Sequence, residues 1–120
     1  MKVLIADDDQ ASRMVLVYAL KSMGCELLLA TDGNETLNIA RKHPDLDLIL
    51  LDISMPGLDG TEAARQIREF NKKVIIIIQS SVVMTDRIKL AMATGCNDYL
   101  VKPLNLNMLK GMISKYFPNF

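Results

Sequence analysis

Residues 74–78 read Val-Ile-Ile-Ile-Ile, and residues 48–51 read Leu-Ile-Leu-Leu. Neither run leaves a polar face. A strand open to water on one side alternates apolar and polar residues, and these do not. Strands buried on both sides belong to a parallel sheet covered by helices on each face. With their flanks, the two runs give strands over Leu46–Leu51 and Val74–Ile78, and Lys2–Ala6, Glu26–Ala30 and Asp98–Val101 read as three more. Amphipathic stretches lie between them. Leu16, Ala19, Leu20 and Met23 share one helical stripe, stopped by Gly24; Ala63, Ile67 and Phe70 form a shorter one. Ile88, Ala91 and Met92 form another, stopped by Gly95, and Leu109, Met112, Ile113 and Tyr116 follow a cap at Asn105 or Asn107. Strand and helix alternate from end to end. Right-handed crossovers then give an open, doubly wound α/β sheet of five parallel strands. Ligands of such sheets bind beyond the carboxyl ends of the strands, near the topological switch point.

Composition narrows the function. The 120 residues suit one domain spanning 1–120, with no repeat, linker or low-complexity segment. Fourteen basic residues balance fourteen acidic ones, which leaves no electrostatic footprint for nucleic acid or an anionic membrane. No apolar run approaches the roughly 20 residues of a membrane span, and the chain enters a strand directly after Lys2, without the pattern of a signal peptide. Cys25 and Cys96 lack metal-ligand spacing and read as two free, buried thiols of a cytoplasmic protein. Met14, Met23, Met92, Met108 and Met112 fall on helices and are expected to fill the core, while Met84 is a candidate for an exposed contact. His43 is the only histidine; lying before Pro44 at a helix end, it reads as a surface residue away from the strand ends.

Chemistry gathers at the carboxyl ends. The first strand stops at Asp7-Asp8-Asp9, the third at Asp52, the fourth near Ser80 and Ser81, and the fifth at Lys102. Three adjacent carboxylates at the rim of an apolar core repel one another and lose hydration. A cation belongs beside them: a metal ion, a lysine from elsewhere in the chain, or both. Hard oxygen ligands favour Mg²⁺, with Mn²⁺ as the alternative, and a lysine with a hydroxyl offers donors to phosphoryl oxygens. Each residue alone has an ordinary reading. Asp9 can cap a helix, Asp52 a turn, Ser80 the next helix, and Lys102 can be a surface lysine. All of them at corresponding strand ends is a far less ordinary arrangement.

These residues resemble the receiver domain of two-component response regulators. The resemblance covers essentially the whole chain and rests on "LIADDD", "LLDISMPGLDG" and "GCNDYLVKP" in their order and spacing. It is also similar to the receivers fused to hybrid sensor kinases. It implies a flavodoxin-like (βα)5 fold with strand order 2-1-3-4-5. It implies that Asp52 accepts a phosphoryl group from a phosphohistidine. Asp8 would bind Mg²⁺ directly, Asp7 through water, and Asp52 and the backbone carbonyl of Ser54 would complete the protein's share. Lys102 would pair with Asp52 and then with the phosphoryl group, Ser80 would hydrogen-bond that group, and Tyr99 would turn inward as Ser80 moves.

The resemblance implies a sensor histidine kinase or phosphotransfer protein as donor, and an effector that reads the face of the fourth helix, fifth strand and fifth helix. It implies no direct contact with nucleic acid or membrane. A monomer is the default, with dimerisation on phosphorylation as an alternative. Such a domain phosphorylates itself and is not a turnover enzyme. Val82, two residues past Ser80, offers no group to orient an attacking water, so slow loss of the phosphoryl group is expected. Two rival readings stand beside this one. The first is a degenerate, phosphate-independent receiver. The second is a haloacid-dehalogenase-type phosphatase using Asp7 of Asp7-x-Asp9, which leaves "LLDISMPGLDG" unexplained and needs a longer chain for its usual cap.

Overall fold

The computed structural model describes residues 1–81 and 86–120. The elements alternate as β1 (Lys2–Ala6), α1 (Gln10–Ser22), β2 (Glu26–Ala30), α2 (Gly33–Lys42), β3 (Leu48–Asp52), α3 (Gly60–Phe70), β4 (Ile75–Ser80), α4 (Asp86–Ala93), β5 (Asp98–Val101) and α5 (Leu106–Tyr116). All strand pairs are parallel, and the order is β2-β1-β3-β4-β5. The two apolar runs occupy β3 and β4, the inner positions that bury both faces of a strand.

The sheet divides the core in two. Leu4, Ile49, Leu51, Ile76 and Ile78 face a cluster with Leu37, Ala64, Ile67, Ile88 and Ala91 of α2, α3 and α4. Val3, Ile5, Leu48, Leu50 and Ile77 face Leu16, Ala19 and Leu20 of α1 and Leu109 and Ile113 of α5. This is strand alternation applied five times over. Asn105 caps α5, accepting from the Met108 N–H at 2.9 Å. Asp9, Asp32 and Asp59 cap α1, α2 and α3.

Two strands differ from the sequence reading, each at both ends: the third runs Leu48–Asp52 and the fourth Ile75–Ser80. The third strand begins at Leu48, because the Leu46 N–H bonds back to the His43 carbonyl in the turn that closes α2. The fourth runs on to Ser80, because Gln79 and Ser80 still find ladder partners in Asp52, Leu100 and Val101. Asp52 and Ser80 therefore end strands rather than sit in loops. Two core assignments also fail. Met14 is 62% exposed, lying off the stripe that Leu16 begins. Phe70, the last residue of α3, is 43% exposed and stacks beneath the Arg41 guanidinium, 5.6 Å from its ring centre. Met23, Met92 and Met112 pack half-buried against the two clusters. Cys25 and Cys96 are free and buried.

At Gly60 helix α3 meets the backbone of β3 directly. A Cβ there would lie 2.7 Å from the Asp52 carbonyl oxygen and 2.7 Å from the Ile53 Cα. Gly60→Ala must push α3 off the strand that carries Asp52, and about 2–3 kcal/mol of lost stability is expected. Gly111, in α5, is the control: a Cβ there meets nothing within 4 Å, so Gly111→Ala should add about 0.5–1 kcal/mol. Urea denaturation of both variants measures the contrast, and equal midpoints would contradict it.

Candidate phosphoacceptor site at the carboxyl edge of the sheet

The three acids after β1 have three different surroundings. Asp7 continues the ladder, its N–H bonded to the Ala30 carbonyl at 3.0 Å, and its side chain is fully buried. Burial pushes the Asp7 carboxyl above its ordinary value, against the opposing effect of the Asp9 N–H bond and of Lys102. Asp8 is exposed. Asp9 accepts from the Ser12 N–H at 2.9 Å as the cap of α1, and this bond holds its carboxyl below the usual range. The ordinary reading of Asp9 thus holds: its carboxylate serves as the cap of α1, while its N–H donates to Asp7 Oδ1 at 2.9 Å.

Asp52 lies level with Asp7 on the face covered by α1 and α5, and it is 4% exposed. Its Oδ1 accepts from the Ser54 N–H at 2.8 Å, which turns the chain away from β3. Its Oδ2 accepts from Lys102 Nζ at 3.0 Å, and the same ammonium reaches Asp7 Oδ2 at 3.1 Å. Burial alone would lower the Lys102 ammonium; its bonds to Asp52 and Asp7 outweigh that and raise it. The Lys102 N–H is held in turn by the Ser80 carbonyl at 2.7 Å. One cation is shared by two buried carboxylates. Asp7, Asp8 and Asp52 also each offer an oxygen within 4.8 Å of the others. Three hard, charged donors at that spacing fit a divalent cation such as Mg²⁺.

Ser80 is buried at the end of β4, one strand from Asp52. Tyr99 is half-buried and packs on the other side of the sheet, against the α2–α3–α4 cluster. His43 caps the far end of α2, where Lys2 Nζ lies 2.9 Å from its Nδ1. It sits by the first residue of β1, at the opposite edge from Asp52. Val82 and Met84, both singled out from the sequence, lie outside the described residues.

Three participants were not legible beforehand. Arg13 donates to the Asp7 carbonyl at 2.9 Å. Arg87, at the start of α4, bridges the Ile53 carbonyl and the Asp59 carboxylate. A cation in the first turn of a helix opposes the helix dipole, and that was the available signal. Gln79 is fully buried beside Asp52, with both amide atoms lacking a hydrogen-bond partner among the described residues. A buried amide left this way costs about 1–3 kcal/mol.

Known proteins share this fold. The family model of the response regulator receiver domain matches residues 3–114. Protein PilG of Pseudomonas aeruginosa is 33% identical over all of this chain and 90% of its own length. The receiver domain of a sensor histidine kinase from Pseudomonas aeruginosa PAO1, solved with a magnesium ion coordinated in its active site cleft, is 27% identical. Its TM-score is 0.87, with 98% of each chain covered. The receiver domain of the Saccharomyces cerevisiae response regulator Ssk1, crystallised with the histidine phosphotransfer protein Ypd1, is 34% identical. Its TM-score is 0.88, covering 97% of this chain and 88% of that one. The chain spans only 4%, 43%, 46% and 25% of four other curated relatives, so the same unit recurs inside longer proteins. By the match over residues 3–114 and the shared fold, this chain belongs to the response regulator receiver family of two-component phosphorelays.

Proposed function

We propose that this single domain takes a phosphoryl group from the phosphohistidine of a histidine kinase or phosphotransfer protein onto Asp52. The observation that carries the reading is the Lys102 ammonium, shared between Asp52 and Asp7 at 3.0 and 3.1 Å beside a third carboxylate. An Asp52 oxygen attacks phosphorus, an O–P bond forms, the N–P bond breaks, and the electron pair stays on the imidazole nitrogen. Asp7, Asp8, Asp52 and the Ser54 backbone carbonyl would hold Mg²⁺ or Mn²⁺, which when bound offsets the charge of carboxylates and phosphoryl group. Lys102 and the Ser80 hydroxyl donate to the phosphoryl oxygens. The exposed apolar residues Met14, Val15 and Tyr18 of α1, with Leu106 of α5, offer the donor protein a surface on the Asp52 side of the sheet.

The test is intact mass after incubation with acetyl phosphate, with and without Mg²⁺. Gain of one phosphoryl mass only with Mg²⁺ is expected, decaying over minutes or longer. No gain, with Mg²⁺ nonetheless bound, would return rapid hydrolysis or a phosphatase to contention; neither phosphoryl gain nor Mg²⁺ binding would favour the phosphate-independent module. Among the described residues no helix is long and apolar enough to cross a membrane, and we place the domain in the cytoplasm as a monomer.

The output is a population shift at the face of α4, β5 and α5. Tyr99 is its coupling residue, packed where that face meets the core. Tyr99→Ala is expected to be labelled at the wild-type rate yet to lose the phosphorylation-dependent change in hydrogen exchange across α4. An undiminished change in the variant would sink the coupling.

A further inference from the structure

Gln79 pairs with Asp52 on one side and Leu100 on the other. Residues level with each other on neighbouring parallel strands project to the same face. The Gln79 amide is therefore the cross-strand neighbour of the phosphoacceptor, and it is buried with neither amide atom partnered among the described residues. An apolar residue would serve stability better there.

The course of Lys102 suggests what the amide is for. Strand β4 lies between β3 and β5. Lys102 follows β5, yet its ammonium reaches Asp52 at the end of β3 and Asp7 beyond β1. Its side chain must cross the end of β4, where Gln79 lies. Lys102 and Gln79 also line one cavity of about 210 Å³, walled by Ser12, Val15, Leu16 and Leu104. The ammonium occupies oxygens of two of the three carboxylates that fit a divalent cation. Both cations on the same oxygens would repel strongly in so buried a place.

We propose that Gln79 is a positioning residue for Lys102: its amide oxygen accepts a hydrogen bond from the Lys102 ammonium when a divalent cation takes Asp7 and Asp52. Metal and lysine then exchange places instead of competing. The retreat runs back along the side chain's own course, into the cavity that Gln79 also lines. This rests on reading the acidic cluster as a divalent-cation site.

The experiment is a Mg²⁺ titration of the whole chain followed by NMR. It observes the backbone amides of Asp8 and Ser54, the side-chain amide of Gln79 and the Lys102 ammonium. All four are expected to respond with one midpoint. Gln79→Leu and Gln79→Met, which should melt above the wild type without metal, are expected to bind Mg²⁺ about fivefold to tenfold more weakly, as suits one charge-assisted hydrogen bond lost in a partly wet place. In a Lys102→Ala background the Gln79 substitutions should leave Mg²⁺ affinity unchanged. A Gln79 signal that stays still while Asp8 and Ser54 move would overturn the proposal, as would wild-type affinity in both variants. Silence at Asp8 and Ser54 as well would overturn the cation reading itself, and this proposal with it.

Discussion

Asp52→Asn is expected to take up no phosphoryl group from acetyl phosphate and Mg²⁺, while melting within a few degrees of the wild type. The amide keeps the shape of the carboxylate. Its oxygen still accepts the Ser54 N–H, now at 2.8 Å from Asp52 Oδ1. Lys102 keeps Asp7, 3.1 Å away, so no buried charge is left unpaired. Losing one charged hydrogen bond costs about 1.5–3 kcal/mol, and relief of the repulsion between Asp7 and Asp52 offsets part of it. A neutral amide oxygen is no nucleophile toward phosphorus at neutral pH, so the labelling is lost outright. Intact mass and a melting curve on the same sample measure both halves. A phosphoryl mass retained by the variant would move the acceptor to Asp7 or Asp8.

Lys102→Ala is the opposite case. It leaves Asp7, fully buried, and Asp52, 4% exposed, facing each other without their shared cation. Removing one side of a buried pair costs about 3 kcal/mol or more, because a buried charge is left uncompensated. The loss depends on pH in a definite direction. The Asp7 carboxyl is raised by burial in the folded protein. A raised carboxyl favours folding where it is protonated, so its contribution is fully present below the unfolded value, 3.8, and is lost as pH rises through the folded value. Lys102 opposes that rise in the wild type, and alanine does not. The stability gap should therefore be widest near neutral pH and should narrow on acidification toward pH 4. Mg²⁺ should raise the melting temperature of the variant more than that of the wild type, since it supplies the missing charge. Denaturant midpoints between pH 4 and 7 decide it; a constant gap would mean that Lys102 acts through packing alone.

The carboxyl edge was readable because parallel strands all point one way. Asp52 and Lys102 follow apolar runs, so their meeting needed only the strand order. Met14 was misread against a signal that was present, since it lies two residues before Leu16 and so on the far side of the helix. Phe70 was misread because a stripe says nothing of where the helix outruns the sheet. Arg87 and Gln79 were hidden for a different reason. The partners of Arg87, Ile53 and Asp59, lie about thirty residues away, and no local pattern encodes that reach. Gln79 was read as lying beyond the fourth strand, and its burial follows from that strand running on to Ser80 between β3 and β5. The three acids after β1 read as one cluster, but backbone direction gives each its own task.

The alternation within β4 has one more consequence. Gln79 follows Ile77 onto the α1 and α5 side, whereas Ser80 follows Ile78 onto the side where Tyr99 packs. The sheet is a partition with the buried carboxylates in one room and Tyr99 in the other, and β4 ends at its open rim. On the function proposed above, the Ser80 hydroxyl is the passage between them: it stands on the Tyr99 side and would reach over the rim to a phosphoryl group on Asp52. The peptide plane between residues 79 and 80 carries a side chain into each room, so tilting it displaces both at once.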